Sequence, residues 1–208
     1  MGPRQNLNMQ KLKPVGLSGF ATVGKDFFFE MLSQEYPAVR FSLADILKTE
    51  MRNDLLEETA IDIFNCTKED KETLRPMLVK YAIAKRKETE GRYFIDRLNF
   101  VLDNTFTLSK IPVITDIRYC EYPKDEVRWL KDELGGVLVH IEKYKIINNK
   151  RKYVSAPNED EKKNDPFLRE NADYVVDWEE SSAPTIEEVK KSLRPHVKKF
   201  IDWYKNIL

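Results

Sequence analysis

The stretch Gly19-Phe20-Ala21-Thr22-Val23-Gly24-Lys25-Asp26 constrains this chain more than any other. It reads G-x-x-x-x-G-K, the phosphate-loop pattern with Asp26 where Ser or Thr is usual. The glycines let backbone N–H groups turn inward around an anion, and the lysine adds a point charge. The helix that follows would aim its positive end at the same place. The flanks suit this reading. Pro14 to Ser18 is a short, small-residue segment fit for a buried strand. Asp26 to Tyr36 carries Phe27, Phe28, Met31 and Leu32 at the i, i+1, i+4, i+5 spacing of a buried helix face, and Pro37 stops it. A carboxylate beside a polyphosphate is unfavourable unless a metal or its water shell lies between them. Asp26 is therefore expected to hold Mg²⁺ through water.

The rest of the chain alternates. Arg40 to Leu43 reads as a short strand, and Asp45 to Leu56 as a helix. A polar stretch around Thr67 to Glu72 leads into a helix from Thr73 to Lys87, with Lys80, Lys85, Arg86 and Lys87 towards its C-terminus, where cations suit the dipole. Tyr93 to Leu108 resumes helical spacing after Gly91. Pro112 to Asp116 reads as a buried strand, Lys124 to Leu134 as a helix capped by Gly135-Gly136, and Val137 to Ile141 as a strand. Strand, helix, strand in so short a span implies a parallel sheet. Tyr144 to Asn171 is polar and is expected to be a structureless lid-like segment. Ala172 to Trp178 reads as the last strand. Pro184-Thr185 opens a final helix, with Thr185 and Glu188 spaced as a capping box, and Pro195 is expected to kink or split it. Residues 1–12 read as a disordered tail, and 13–208 as one domain.

Composition bounds the function. Charged residues make up 34% of the chain, but Lys+Arg and Asp+Glu are both 35, so the net charge is zero. That argues against a nucleic-acid partner bound through a basic face. Cys66 and Cys120 lack metal-ligand spacing and read as reduced thiols. No apolar run approaches the roughly 18 residues that span a bilayer, so no membrane partner and a cytoplasmic location are expected. Asp116 ends its strand, with Arg118 two residues on. In open α/β sheets ligands bind beyond the carboxyl ends of strands, so both are expected near the phosphate loop. There a carboxylate can orient metal-bound water, and an arginine can neutralise a transferring phosphate.

These residues together resemble the P-loop deoxynucleoside monophosphate kinases of bacteriophages, relatives of the adenylate kinase group. The likeness rests on Val15-Gly16-Leu17-Ser18-Gly19 through Gly24-Lys25-Asp26, and on Phe41-Ser42-Leu43-Ala44 through Leu47-Lys48. It continues in Tyr93-Phe94-Ile95-Asp96, in Val113-Ile114-Thr115-Asp116-Ile117-Arg118-Tyr119 followed by Leu134-Gly135-Gly136, and in Ala172-Asp173-Tyr174-Val175-Val176. There are two departures, one being that the segment from Tyr144 to Asn171 is not a close match to the family's lid. Arg75 and Leu78 fit the family's Arg-x-x-Leu-Gln, but Val79 replaces the glutamine and Ala82-Ile83 the Gly-Thr pair that follows.

The resemblance implies a three-layer α/β fold with a parallel sheet between helices. It implies transfer of the ATP γ-phosphoryl group, with Mg²⁺, to a deoxynucleoside monophosphate. Lys25, Asp116 and Arg118 would be catalytic, and Gly19 to Asp26 would bind the donor phosphates. Asp26 and Asp116 would reach the metal through water. An acceptor-binding helical region at about 40–108 would offer Lys48, Arg75, Arg86 and Arg92. A lid at about 144–171 would offer Arg151 and Arg169. A homodimer and, for a viral source, the host cytoplasm complete the expectation. The alternatives are a kinase of another small phosphorylated metabolite, such as phosphomevalonate, and a non-catalytic P-loop nucleotide-binding protein.

Overall fold

The computed structural model describes residues 12–105, 109–180 and 185–208. The expected N-terminal tail, the end of the helix drawn to Leu108 and the helix start at Pro184 lie wholly or mostly outside them. In chain order the elements are β1 (Val15–Ser18), α1 (Lys25–Glu35), β2 (Ala38–Phe41), α2 (Leu43–Thr59), α3 (Lys68–Glu88), α4 (Arg92–Thr105) and β3 (Ile111–Ile114). Then come α5 (Glu126–Arg128), which runs on as a π-helical turn (Trp129–Glu133), β4 (Val137–Ile147), β5 (Lys150–Tyr153), α6 (Glu159–Glu170), β6 (Tyr174–Glu179) and α7 (Ile186–Asn206).

Five strands form a parallel sheet in the order β2-β3-β1-β4-β6, and β5 pairs antiparallel with the outer half of β4. β1 is central. Val15 lies opposite Val113 of β3 on one side and Val137 of β4 on the other. Alternation along the strands builds two cores. Val15, Leu17, Val139 and Ile141 face α1 and α7, where they meet Phe28, Met31, Leu32, Val197 and Phe200. Ile114 and Leu138 face the other way, onto Ile95 and Leu98 of α4 and Trp129 and Leu130 of the π turn. Each such fully buried side chain contributes about 1.5–3 kcal/mol. Gly16 is needed on that second face, because the Leu130 and Ile117 side chains fill the space a Cβ would take. The expected sandwich of helices about a parallel sheet is the observed one.

Four local expectations are corrected. Tyr144 to Asn171 is not structureless: it holds the end of β4, β5 and α6. Asn148 and Asn149, at φ 51° and 57°, make the two-residue left-handed turn that closes the β4–β5 hairpin. Helix α3 starts at Lys68, because Thr67 and Asp70 cap each other's backbone N–H groups. The stretch from Lys124 to Leu134 is mostly a π turn, with the Leu134 N–H reaching the Trp129 carbonyl at 3.0 Å. That widened turn sends the consecutive Trp129 and Leu130 both into the core. Finally, α7 runs unbroken through Pro195, which sits on the helix's exposed side, as does Lys191, whose carbonyl loses its partner to the missing N–H.

Candidate active site

The phosphate loop begins where β1 ends, in the middle of the sheet. Gly19 has φ 117° and lies against the Ile141 carbonyl of β4, so neither the conformation nor the space admits a side chain. Gly24, at φ 104°, starts α1 without any side-chain cap. A Cβ there would sit 3.0 Å from the Trp178 ring of β6, whose Nε1–H donates to the Val23 carbonyl at 2.9 Å. Trp178 thus clamps the loop from behind. The first-turn N–H groups of α1, left without a side-chain acceptor, point to an anion.

Lys25 is partly buried, and its Nζ donates to the carbonyls of Gly19 at 2.5 Å and Phe20 at 2.8 Å. Burial, and then the charge of Arg118, bring its pKa down to about 8, while Glu161, Asp116 and Asp26 oppose the shift. These five residues share one electrostatic neighbourhood. The structure therefore brings together Lys25, Asp26, Asp116 and Arg118, as the sequence suggested, and adds Glu161. Asp26 stands exposed on the first turn of α1.

Asp116 has a specific task in this geometry. Its carboxylate accepts from Ser42 Oγ at 2.8 Å and from the backbone N–H groups of Leu43 at 2.9 Å and Ala44 at 2.7 Å. It caps α2 and fixes that helix to the end of β3, so its direct bonds go to α2. Arg118 is half exposed and donates to Glu161 at 3.2 Å. Glu161 lies in the first turn of α6, and its other carboxylate oxygen accepts from the Ala21 N–H of the loop at 3.0 Å. Sequence reading passed over this residue. Its one local signal was the Asn158-to-Glu161 spacing of a helix cap.

The remaining expected site residues fall in several places. Lys48 pairs with Asp45 at 3.2 Å on α2, whose N-terminus Asp116 holds. Arg75 is exposed on α3 and paired with Glu72 at 3.0 Å. Arg86 is not an exposed acceptor-side cation. It is buried, donates to both oxygens of Asp125 at 2.9 and 3.0 Å and to Glu126 at 3.3 Å, and lies 3.5 Å from the centre of the Tyr119 ring. Arg92 is likewise taken up by Asp96, Glu133 and the Lys124 carbonyl. Arg151 pairs with Asp177 at 2.5 Å, and Arg169 with Glu142 at 3.0 Å. The lid-like segment thus presents a carboxylate to the loop, where a cation was expected.

Behind the loop, a cavity of about 30 Å³ is lined by Phe20, Val23, His140, Glu142 and Asp165 among others. Ser18 Oγ lies 3.0 Å from His140 Nδ1. His140 Nε2 has no hydrogen-bond partner among the described residues and faces Asp165 at 3.8 Å. Burial, with Arg169 and Lys25 nearby, takes the His140 pKa down to about 4. The imidazole is therefore neutral at physiological pH. Among the described residues no cluster of three or more His, Cys, Asp or Glu could hold a metal ion by itself. Mg²⁺ seldom needs one, since it commonly takes one or two carboxylates, substrate phosphates and water. The exposed Asp26 beside Lys25 fits that donor set. No described helix is long and apolar enough to cross a membrane.

No family model matches the chain, and no curated protein matches it in sequence. Among solved structures it is similar to a dephospho-CoA kinase from Campylobacter jejuni, with a TM-score of 0.43 and 13% identity over 93% of this chain and 97% of that one. On the chain's own geometry, a G-x-x-x-x-G-K loop leaves the central strand of a parallel sheet and opens a helix. The fold is a P-loop α/β sandwich, with a mostly parallel sheet between helices.

Proposed function

We propose that this chain is an ATP-dependent kinase of the bacteriophage type that phosphorylates a deoxynucleoside 5′-monophosphate. The observation that carries the reading is the G-x-x-x-x-G-K loop at the carboxyl end of β1, with Lys25 in it and Arg118, just past β3, near enough to depress the Lys25 pKa. Loop N–H groups, the start of α1 and Lys25 bind the donor phosphates. Asp26 would hold Mg²⁺ through water, and the ion would supply charge neutralisation at those phosphates. Arg118 neutralises charge as the phosphoryl group moves, and Asp116 holds the start of α2, the helix that carries Lys48, the residue assigned to the acceptor. Positioning and electrostatics of this kind carry most of the catalysis in phosphoryl transfer.

One observation favours a second reading, a kinase of a different small phosphorylated metabolite. Val79 and Ile83, at the positions of the family's polar residues, are apolar and about half exposed on α3. A panel decides between them. ADP release from ATP and Mg²⁺ is followed with every deoxy- and ribonucleoside monophosphate and with phosphomevalonate. Turnover on at least one deoxynucleoside monophosphate is expected. Turnover on phosphomevalonate alone supports the second reading, and silence on every acceptor removes both.

The titration of Lys25 gives a further expected result. Its pKa is about 8 in the free protein. A bound polyphosphate stabilises the charged amine and raises that value, so binding above pH 8 takes up a proton. Affinity for ATP is therefore full below about pH 8 and falls as pH rises past it, approaching tenfold per pH unit until the bound-state pKa is reached. Calorimetric Kd values between pH 7 and 9.5 measure this. A flat profile would contradict the role given to Lys25.

A further inference from the structure

We propose that Glu161 is a built-in competitor for the phosphate site, whose carboxylate occupies the loop until a nucleotide displaces it. This rests on the reading of Gly19–Asp26 as a nucleotide-phosphate loop and adds a regulatory step to it. Glu161 Oε2 takes the Ala21 N–H at 3.0 Å, and Oε1 takes Arg118 at 3.2 Å. Lys25 feels the same charge, since Glu161 is the strongest of the groups that hold its pKa up. A loop N–H and an arginine converge on one carboxylate, with the Lys25 charge close by, and these are the groups that a phosphate oxygen would meet. The Glu161 side chain is mostly buried, at 14% exposure, and its bond to the loop N–H is partly buried, while the Arg118 side of the contact is open to solvent.

Glu161 also has somewhere else to go. The cap of α6 is Asn158, whose side-chain oxygen accepts from the Glu161 N–H at 2.8 Å. In a full capping box the residue three beyond the cap folds its carboxylate back onto the cap's own N–H. Here Oε1 takes only a long bond from the Asn158 side-chain amide, at 3.4 Å, and Oε2 reaches a loop 140 residues distant in sequence. A displaced carboxylate finds the Asn158 N–H by rotating about its own side-chain bonds. The far end of α6 need not move, because Leu168 is anchored in the core between α4 and the π turn. Glu161 thus alternates between two acceptor positions, and phosphate decides which is filled.

The cost appears in affinity. A binding-competent state that is only fractionally populated weakens apparent binding by that fraction. Removing the carboxylate should therefore tighten nucleotide binding. Calorimetry with ADP, with Mg²⁺ and with a chelator in its place, would compare wild type, Glu161→Gln and Glu161→Asp. Gln keeps the shape without the charge, and Asp keeps the charge but falls one methylene short. Both variants should bind ADP about tenfold more tightly, with or without Mg²⁺. The Asp variant serves if the Gln variant fails to fold. Binding that is unchanged or weaker in the variants, beside clear binding by wild type, overturns the competitor role and leaves the loop reading intact. A loss confined to the Mg²⁺ titration makes Glu161 a metal ligand and also overturns it. Absence of ADP binding in all three proteins overturns the loop reading and the competitor with it.

Discussion

Replacing Lys25 with alanine is expected to lower phosphoryl transfer by about 10²–10³-fold while leaving the fold nearly as stable as before. The two effects separate because of what the side chain does in the free protein. Its contacts there are two carbonyls of its own loop. Its depressed pKa shows that burying this amine is unfavourable to the charge it carries. The fold gains little from Lys25, and the substitution should shift stability by no more than about 1 kcal/mol. Transferring phosphate, by contrast, spreads negative charge over oxygens beside the loop, and Lys25 is the loop's own cation. Lys25→Arg is the instructive companion. A guanidinium is a planar fork and cannot replace a compact ammonium within a loop this closely walled by Trp178 and Ile141. It should recover little activity. The pair of measurements is kcat/KM with the best acceptor and the thermal midpoint. Loss of both together in Lys25→Ala would mean that the lysine is a structural part of the loop.

The loop was legible because it is local. Eight consecutive residues hold its glycines, its cation and its helix start, and the strand before it is short and uniformly buried. The layers were legible for a related reason. Ile111–Ile114 and the first half of β4 are buried on both faces, so they read as apolar runs, broken in β4 only by His140. What escaped reading depends on partners far along the chain, or on backbone geometry that polar residues conceal. The β4–β5 hairpin hangs on two asparagines that look like any polar loop. The first turn of α3 is polar throughout, and only its Thr67–Asp70 box marks it. Glu161 could not be placed without knowing that α6 crosses the loop. Arg86 is a similar case. The family resemblance offered it as an acceptor-side cation, while the partners it has in the fold lie some 40 residues on.

Arg86→Leu is therefore expected to cost about 3–5 kcal/mol of stability, the loss typical of removing one partner from a buried ion cluster. The guanidinium stands between Asp125, which is fully buried, and Glu126, which is nearly so. Burial already pushes the Glu126 carboxyl up to about 8, with Arg86 the main influence holding it down. Without that cation Glu126 must take up a proton or remain buried without its counter-charge, beside the buried Asp125. Its folded-state pKa then rises further above that of the unfolded chain. A raised carboxyl pKa leaves stability intact at low pH and removes it as pH increases. The penalty of the substitution should accordingly stay level up to about pH 8, the wild-type value of Glu126, and grow above it, as read from urea denaturation between about pH 6 and 9.5. Activity should fall too, through position rather than contact. Glu126 accepts from the backbone N–H groups of Arg118 at 2.6 Å and Tyr119 at 3.1 Å, so the cluster holds the segment that carries Arg118. An arginine that instead gripped the acceptor phosphate would show the opposite pattern: KM would rise steeply in a protein as stable as wild type at every pH. That outcome would return Arg86 to the acceptor side.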